Sequence, residues 1–321
     1  VPRLRDAALA RGSVEQGARP GDATARPSIS VVVPTFGRPQ ELRGCLEALA
    51  ALDYPRERYE VVVVDDGSDP PMGPWAGATD AGLRIRWLRQ ANAGPAAARN
   101  AGARAATAEI LAFTDDDCRP ASDWLSAIAA ALARDPGALC GGTTTNALEH
   151  SACSVASHAI VDVAIEHLHA RGDDLRFFPS NNLALRADAF ASIGGFDEVF
   201  RTAEDRDFCD RWLRAGRPLV RAPLAKVAHR HVLSPAGFWR QHFGYGRGAR
   251  RLHRERFRRG APKFVPDLGY YAKVFRRPVA TGRPGVAIGA LALLCAWQLA
   301  NVAGFLWEGV LGDHRRKSPP A

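Results

Sequence analysis

Three adjacent carboxylates, Asp115-Asp116-Asp117, are the part of this sequence best suited to chemistry. Side by side they repel one another, so a cation or several hydrogen-bond donors must compensate. Hard divalent ions such as Mg²⁺ or Mn²⁺ take oxygen ligands and keep positions open for phosphate oxygens. A solvated acidic turn capping the next helix is the plainer alternative. Asp65-Asp66-Gly67-Ser68-Asp69 is a second acidic cluster. Asp, Gly and Ser are ordinary turn formers, yet a carboxylate there can also accept from a base N–H or a ribose hydroxyl. Glu204-Asp205-Arg206-Asp207 is a third. Acids at a helix start suit the helix dipole; alternatively, one of them takes a proton from a hydroxyl as a general base. His229 and His231 flank Arg230, and strand alternation puts both imidazoles on one face. Such a pair suits a metal or a phosphate. Arg99 can meet a diphosphate or an acid of the site.

These groups need elements to hold them. Ile29–Val33 reads as a strand stopped by Pro34, followed by a helix with Leu42, Leu46, Leu49 and Leu52 on one face. Val61–Val64 is a second strand, ending at Asp65-Asp66, and Leu83–Leu88 a third. Asn92-Ala93-Gly94-Pro95 starts an Ala-rich helix reaching about Ala106. Ile110–Phe113 is a fourth strand, ending at Thr114 and the triplet; next come a helix over Ser122–Arg134 and a strand at Ala138–Cys140. Strands alternating with helices predict an α/β fold, Rossmann-like, with a mostly parallel sheet and helices on both faces. Ligands of such sheets bind outside the carboxyl ends of strands, so both acidic clusters should share one cleft edge. Further on, Ser151–Leu168, Ala187–Ile193 and Asp205–Ala215 read as helices and Asn181–Arg186 as a short strand. Phe238–Arg259, with Gly244, Gly246 and Gly248 inside it, reads as a broken basic helix.

Over 321 residues the net charge is +9, which suits an anionic partner. Phe238 to Lys263 holds nine Lys or Arg and one acid, Glu255. The six cysteines form no CxxC pair, so no zinc site is expected and a reducing compartment is the natural reading. Val286–Trp307 is 22 residues without a charge, long enough to cross a bilayer. Arginines on both sides leave a single span in conflict with the positive-inside rule, and an interfacial or re-entrant helix avoids that conflict. The expected organisation is a flexible lead-in over 1–27, a catalytic domain over 28–235, a basic helical linker over 236–284, a membrane-associated helix over 285–312 and a basic tail over 313–321. The expected location is the cytoplasmic face of the cell membrane.

From Ser28 to Gly248 the chain resembles family 2 glycosyltransferases of the GT-A fold. The resemblance is carried by Val31-Val32-Val33-Pro34-Thr35, Val64-Asp65-Asp66-Gly67-Ser68, Asn92–Asn100, Phe113-Thr114-Asp115-Asp116-Asp117, Gly194–Glu198 and Glu204-Asp205. Each segment is weak alone; their order and spacing are specific. The resemblance implies inverting transfer from a nucleoside diphosphate sugar, usually a uridine one, to an acceptor hydroxyl, with Mg²⁺ or Mn²⁺ as cofactor. Donor contacts would come from Pro34, Thr35, Phe36, Arg38, Asp65, Asp66, Asn92, Gly94, Arg99, Asp115 and Asp116. Asp115 and Asp117 match the DxD acids and His229 the histidine that completes metal binding in some members. Asp205 matches the catalytic base, and Asn181, Asn182, Gly195, Phe196 and Glu204 would lie on the acceptor side. Processive members carry Gln-x-x-Arg-Trp; here Trp239-Arg240-Gln241 holds those residue types in another order, which points to single additions onto a glycan, lipid-linked or small-molecule acceptor. Other readings are a nucleotidyltransferase acting on sugar phosphates, or a nucleotide-sugar binding protein without catalysis. The basic stretch has no nucleic-acid recognition motif beside it.

Overall fold

The computed structural model describes residues 26–73, 82–172, 176–262, 265 and 267–317. Most of the lead-in and the end of the basic tail lie outside the described residues. The strands are β1 (Ile29–Thr35), β2 (Tyr59–Asp65), β3 (Ile85–Arg89), β4 (Ile110–Phe113), β5 (Cys118–Pro120), β6 (Leu139–Asn146), β7 (Leu183–Arg186) and β8 (Leu219–His229). The helices are α1 (Pro39–Ala50), α2 (Pro95–Ala105), α3 (Trp124–Arg134), α4 (Ala152–Arg171), α5 (Ala187–Ser192), α6 (Glu204–Arg214), α7 (Pro235–Arg258), α8 (Leu268–Arg276) and α9 (Pro284–Lys317).

One sheet of eight strands runs in the order β3-β2-β1-β4-β7-β6-β8-β5. β3, β2, β1 and β4 pair parallel. β7 pairs antiparallel with both β4 and β6, β6 pairs parallel with β8, and β5 antiparallel with β8. Only β5 and β7 therefore oppose the common direction. β1 and β2 are buried along their whole length, because helices cover both faces. On one face Leu42, Cys45, Leu46 and Leu49 of α1 pack with Trp124, Leu125 and Ile128 of α3; on the other, Phe190, Phe208 and Trp212 close over Leu111 and Phe113.

The two reversed strands deliver polar residues to the carboxyl ends of the parallel ones. β7 begins with Leu183 opposite Phe113, the last residue of β4, so the turn Ser180–Asn182 arrives beside the acidic triplet. β5 sets Cys118 opposite His229, the last residue of β8, which brings His229 next to Asp117.

Two expectations need correcting. Pro34 does not stop β1: it pairs with Val64 of β2, and the pairing of β1 with β4 has already ended at Val32 and Phe113. Proline is tolerated there because no ladder continues on that side. The glycine-rich basic segment is not broken either. α7 is continuous from Pro235 to Arg258; Gly246 serves a close helix crossing and Gly248 a close approach to Thr202. A Cβ at Gly246 would stand 2.0 Å from the Asn301 carbonyl oxygen, and one at Gly304 would stand 2.0 Å from that of Phe243. Basic residues of this stretch are tied inside the protein. Arg247 and Arg251 hold Glu308 of α9 at 2.9 and 2.7 Å, and Arg259 reaches Asp207 at 2.8 Å, while Arg256 bonds Asp210.

α9 buries Ala287, Ala290, Leu294, Trp297 and Ala300 against α4 and α7, and exposes Ile288, Leu299, Val302, Leu306 and Val310 on its other face. Among the described residues it is the one helix long and apolar enough to cross a membrane. All six cysteines are free thiols.

Candidate active site

The carboxyl ends of β1, β2 and β4 open into one cleft with Arg38, Asp66, Arg99, Asp115, Glu204, Asp205 and His229 on its walls. The three acids of the triplet fall into three environments. Asp115 is a quarter exposed and pairs with Arg99 at 2.6 Å. Asp116 is fully buried, accepts from the Thr35 hydroxyl at 2.7 Å and meets Arg38 at 2.5 Å. Burial, against the pull of Arg38 and with Asp117 close by, pushes its carboxyl up to about 7. Asp117 meets Arg38 at 2.8 Å and His229 Nε2 at 3.2 Å. Burial would raise its pKa, but the hydrogen bond and charge of His229, with Arg38, outweigh it and hold the carboxyl well below the usual range. Burial opposes the charged form of His229 as well, and Asp117 overcomes it and raises that pKa. His231 stacks on His229 with centroids 4.8 Å apart; burial and the neighbouring imidazole hold it near 4.

Arg99 joins two segments far apart in the chain. Its guanidinium binds Asp115 at 2.6 Å and Glu204 at 2.8 Å while almost wholly buried. Burial, with Asp205 adjacent, pushes Glu204 up to about 7 despite Arg99. Asp205 is raised too, by burial above all, although the Arg206 N–H donates to it at 2.7 Å. Ala203, just before them, has φ of 68°, a left-handed conformation that costs an alanine about 1–3 kcal/mol. No glycine or asparagine marks this strained turn in the sequence.

The remaining expected residues divide. Pro34, Thr35, Phe36, Asn92, Gly94 and Asn181 border the cleft. Asp66 is there as well, but its oxygens accept from Gln90 Nε2 and the backbone N–H groups of Ala93 and Gly94 at 2.7–2.9 Å, so it also fastens the loop before α2. Asp65 turns inward instead, accepting from the backbone of Ser68 and Met72 at 2.9 and 3.0 Å. Asn182 is likewise internal: it accepts from Trp124 Nε1 at 2.9 Å and donates to the carbonyls of Thr143 and Ala225. Gly195 and Phe196 lie off the cleft, beside a separate cavity of about 640 Å³. Asn100 clamps Phe196 there, donating to its carbonyl at 2.8 Å and accepting from its N–H at 2.9 Å. Sequence reading did not single out Arg201, which packs over Gly94, or Tyr245, both on the cleft wall.

The donor set fits a hard divalent cation. Ligand atoms of Asp117, Cys118 and His229 lie within 4.8 Å of one another. Burial and nearby carboxylates raise the Cys118 pKa, which disfavours the thiolate that a soft metal needs. Carboxylate oxygens, which Mg²⁺ and Mn²⁺ prefer, and one imidazole remain.

This sheet, with acids at the carboxyl ends of its central strands, is a GT-A fold. The chain belongs to glycosyl transferase family 2, whose sequence profile matches residues 30–194. It is 31% identical over 220 residues to the pre-mycofactocin glycosyltransferase of Mycobacterium tuberculosis, covering 66% of this chain and 45% of that protein. It is 37% identical over 116 residues to the validoxylamine A glucosyltransferase of Streptomyces hygroscopicus, covering 36% and 28%. The chain thus spans less than half the length of these curated relatives. Among solved structures, the mannosyltransferase PcManGT from Pyrobaculum calidifontis, in complex with GDP-Man and Mn²⁺, superposes with a TM-score of 0.59 at 21% identity, over 92% of this chain and 82% of that one.

Proposed function

We propose that this chain transfers a sugar from a nucleoside diphosphate donor to an acceptor hydroxyl, with inversion and one addition at a time. The observation that carries this reading is the meeting, in one cleft, of Asp115, Asp205 and His229, the last paired with the buried Asp117, from separate segments. Asp115, Asp117 and His229 would hold the divalent ion, Mg²⁺ or Mn²⁺. When bound, such an ion neutralises charge on the diphosphate leaving group. Arg38 and Arg99 fix the carboxylates in place and add fixed positive charge at the same edge. Pro34, Phe36, Asp66 and Asn92 form the wall against which the nucleoside packs.

Asp205 acts as general base. Its raised pKa makes it a better proton acceptor than an ordinary aspartate. Glu204, locked to Arg99, orients that end of the site. The exposed apolar face of α9 rests the chain on a membrane surface, on the cytoplasmic side, where its free thiols stay reduced. Co-sedimentation with lipid vesicles checks this, and a chain that stays wholly in the supernatant contradicts it.

Incubation with a panel of nucleoside diphosphate sugars, uridine ones first, and Mg²⁺ or Mn²⁺ tests the main reading. Release of nucleoside diphosphate is the expected result. Release of pyrophosphate from a sugar phosphate and a nucleoside triphosphate would instead identify a nucleotidyltransferase.

A further inference from the structure

The cleft does not end at Asp205. It continues past Ser180 and Asn181 into a space between the sheet domain and helices α4, α7, α8 and α9, one cavity of about 1160 Å³. Sites for single small molecules usually occupy about 300–1,000 Å³, and this cavity lies above that range.

The lining changes character along the cavity. Around Asp66, Asp115 and Arg38 it is charged. Beyond Asp205 an apolar and aromatic wall appears, Ile160, Tyr245, Leu252, Tyr270, Tyr271 and Trp297, interleaved with polar side chains such as His158, Arg171, Arg206, Gln241 and His253. The three rings of the far wall form one cluster: Tyr270–Tyr271 centroids are 5.2 Å apart, Tyr271–Trp297 6.0 Å and Tyr270–Trp297 6.3 Å. Several polar groups of this wall already have partners within the protein. The Tyr270 hydroxyl donates to the Ile160 carbonyl at 3.0 Å, His167 meets Asp267 at 2.8 Å, and Arg206 lies over the Phe177 ring at 4.5 Å. Hydroxyls set against these three rings would lose water without gaining partners, at a cost, whereas an apolar body gains there by burial and ring contact.

We propose that this compartment is the acceptor subsite, and that the acceptor is an alcohol carried on an apolar body, aromatic or aliphatic. The inference rests on the glycosyl-transfer reading above. The reaction forms one bond, acceptor oxygen to anomeric carbon, and breaks one, anomeric carbon to diphosphate oxygen. The hydroxyl proton passes to Asp205.

The test compares methyl, octyl and phenyl glucosides and a long-chain isoprenoid alcohol in detergent as acceptors, with the donor that the panel identifies. Product is read by mass spectrometry, and slow hydrolysis of the donor alone is the internal standard. The octyl or phenyl compound should exceed the methyl compound at least tenfold in kcat/KM. Preference for the isoprenoid alcohol identifies a lipid acceptor, and preference for the phenyl compound a soluble aromatic one; both support the proposal. In Tyr271→Ala, and in Ala249→Trp, which fills the space from α7, the loss with the octyl acceptor should exceed the loss in donor hydrolysis about tenfold. Equal kcat/KM across the series, or equal losses in both readouts, would overturn the inference and leave the transfer reading standing. Failure to turn over any nucleoside diphosphate sugar would overturn both.

Discussion

The two ends of the central strands treat their carboxylates in opposite ways. At the amino end of β2, Glu60 is buried and saturated with donors: Ser30 Oγ at 2.7 Å, the Thr107 N–H at 2.7 Å and Thr107 Oγ1 at 2.8 Å. Burial works against its charge, but these bonds, with Arg86, lower its pKa. At the carboxyl end, acids crowd one another with fewer donors, and Asp116 and Glu204 both rise to about 7. A carboxylate surrounded by donors stabilises the fold. Carboxylates held together against repulsion cost stability, and such an arrangement persists where function uses it.

The contrast breaks most sharply at Asp205. Asp205→Asn should lower turnover about 10²- to 10⁴-fold while nucleoside diphosphate still binds, as steady-state kinetics and calorimetry would report. Next comes Arg99→Met, which strips Asp115 and Glu204 of their shared cation. It should cost about 3–5 kcal/mol in urea unfolding, as expected when one partner of a buried ion pair is removed. Glu60→Gln should cost about 1–3 kcal/mol, with kcat of the folded fraction retained. Because the folded-state pKa of Glu60 is depressed, its contribution is fully present above the ordinary value of 4.5 and lost as pH falls through the folded value. Acid unfolding curves of the variant should therefore lose that component.

The smallest effect belongs to Asp116→Asn. The folded state holds the Asp116 proton more tightly than the unfolded chain, so wild-type stability falls as pH rises from about 4 to about 7. The variant should flatten that slope and lose no stability near neutrality. A steep loss of stability instead would mean that Asp116 is a structural acid like Glu60.

Much of the first half was legible because buried parallel strands announce themselves as apolar runs ending in polar clusters. Ile110–Phe113 coincides with β4, and the segment from Pro95 with α2. The direction of a carboxylate was not legible. Asp65 and Asp66 are neighbours in sequence, yet only Asp66 borders the cleft, since side chains alternate along a strand and local donors decide the rest. Asn182 and Phe196 read as site residues and are fixed in the interior by partners from distant segments, Trp124 and Asn100. Gly246 and Gly248 of α7 read as a break because their uses lie far along the chain, at Asn301 of α9 and at Thr202. The compartment proposed for the acceptor was out of reach for the same reason: its wall comes from four helices that the sequence keeps apart.

The decisive experiment is calorimetric titration of a nucleoside diphosphate, with and without Mn²⁺, into wild type, Asp117→Ala, Asp205→Asn and Glu60→Gln. Wild type, Asp205→Asn and folded Glu60→Gln should bind in a metal-dependent way with similar affinity, and Asp117→Ala should lose the metal dependence. Equal, metal-independent affinity in all four proteins would contradict the assignment of the crowded carboxyl edge as the donor site.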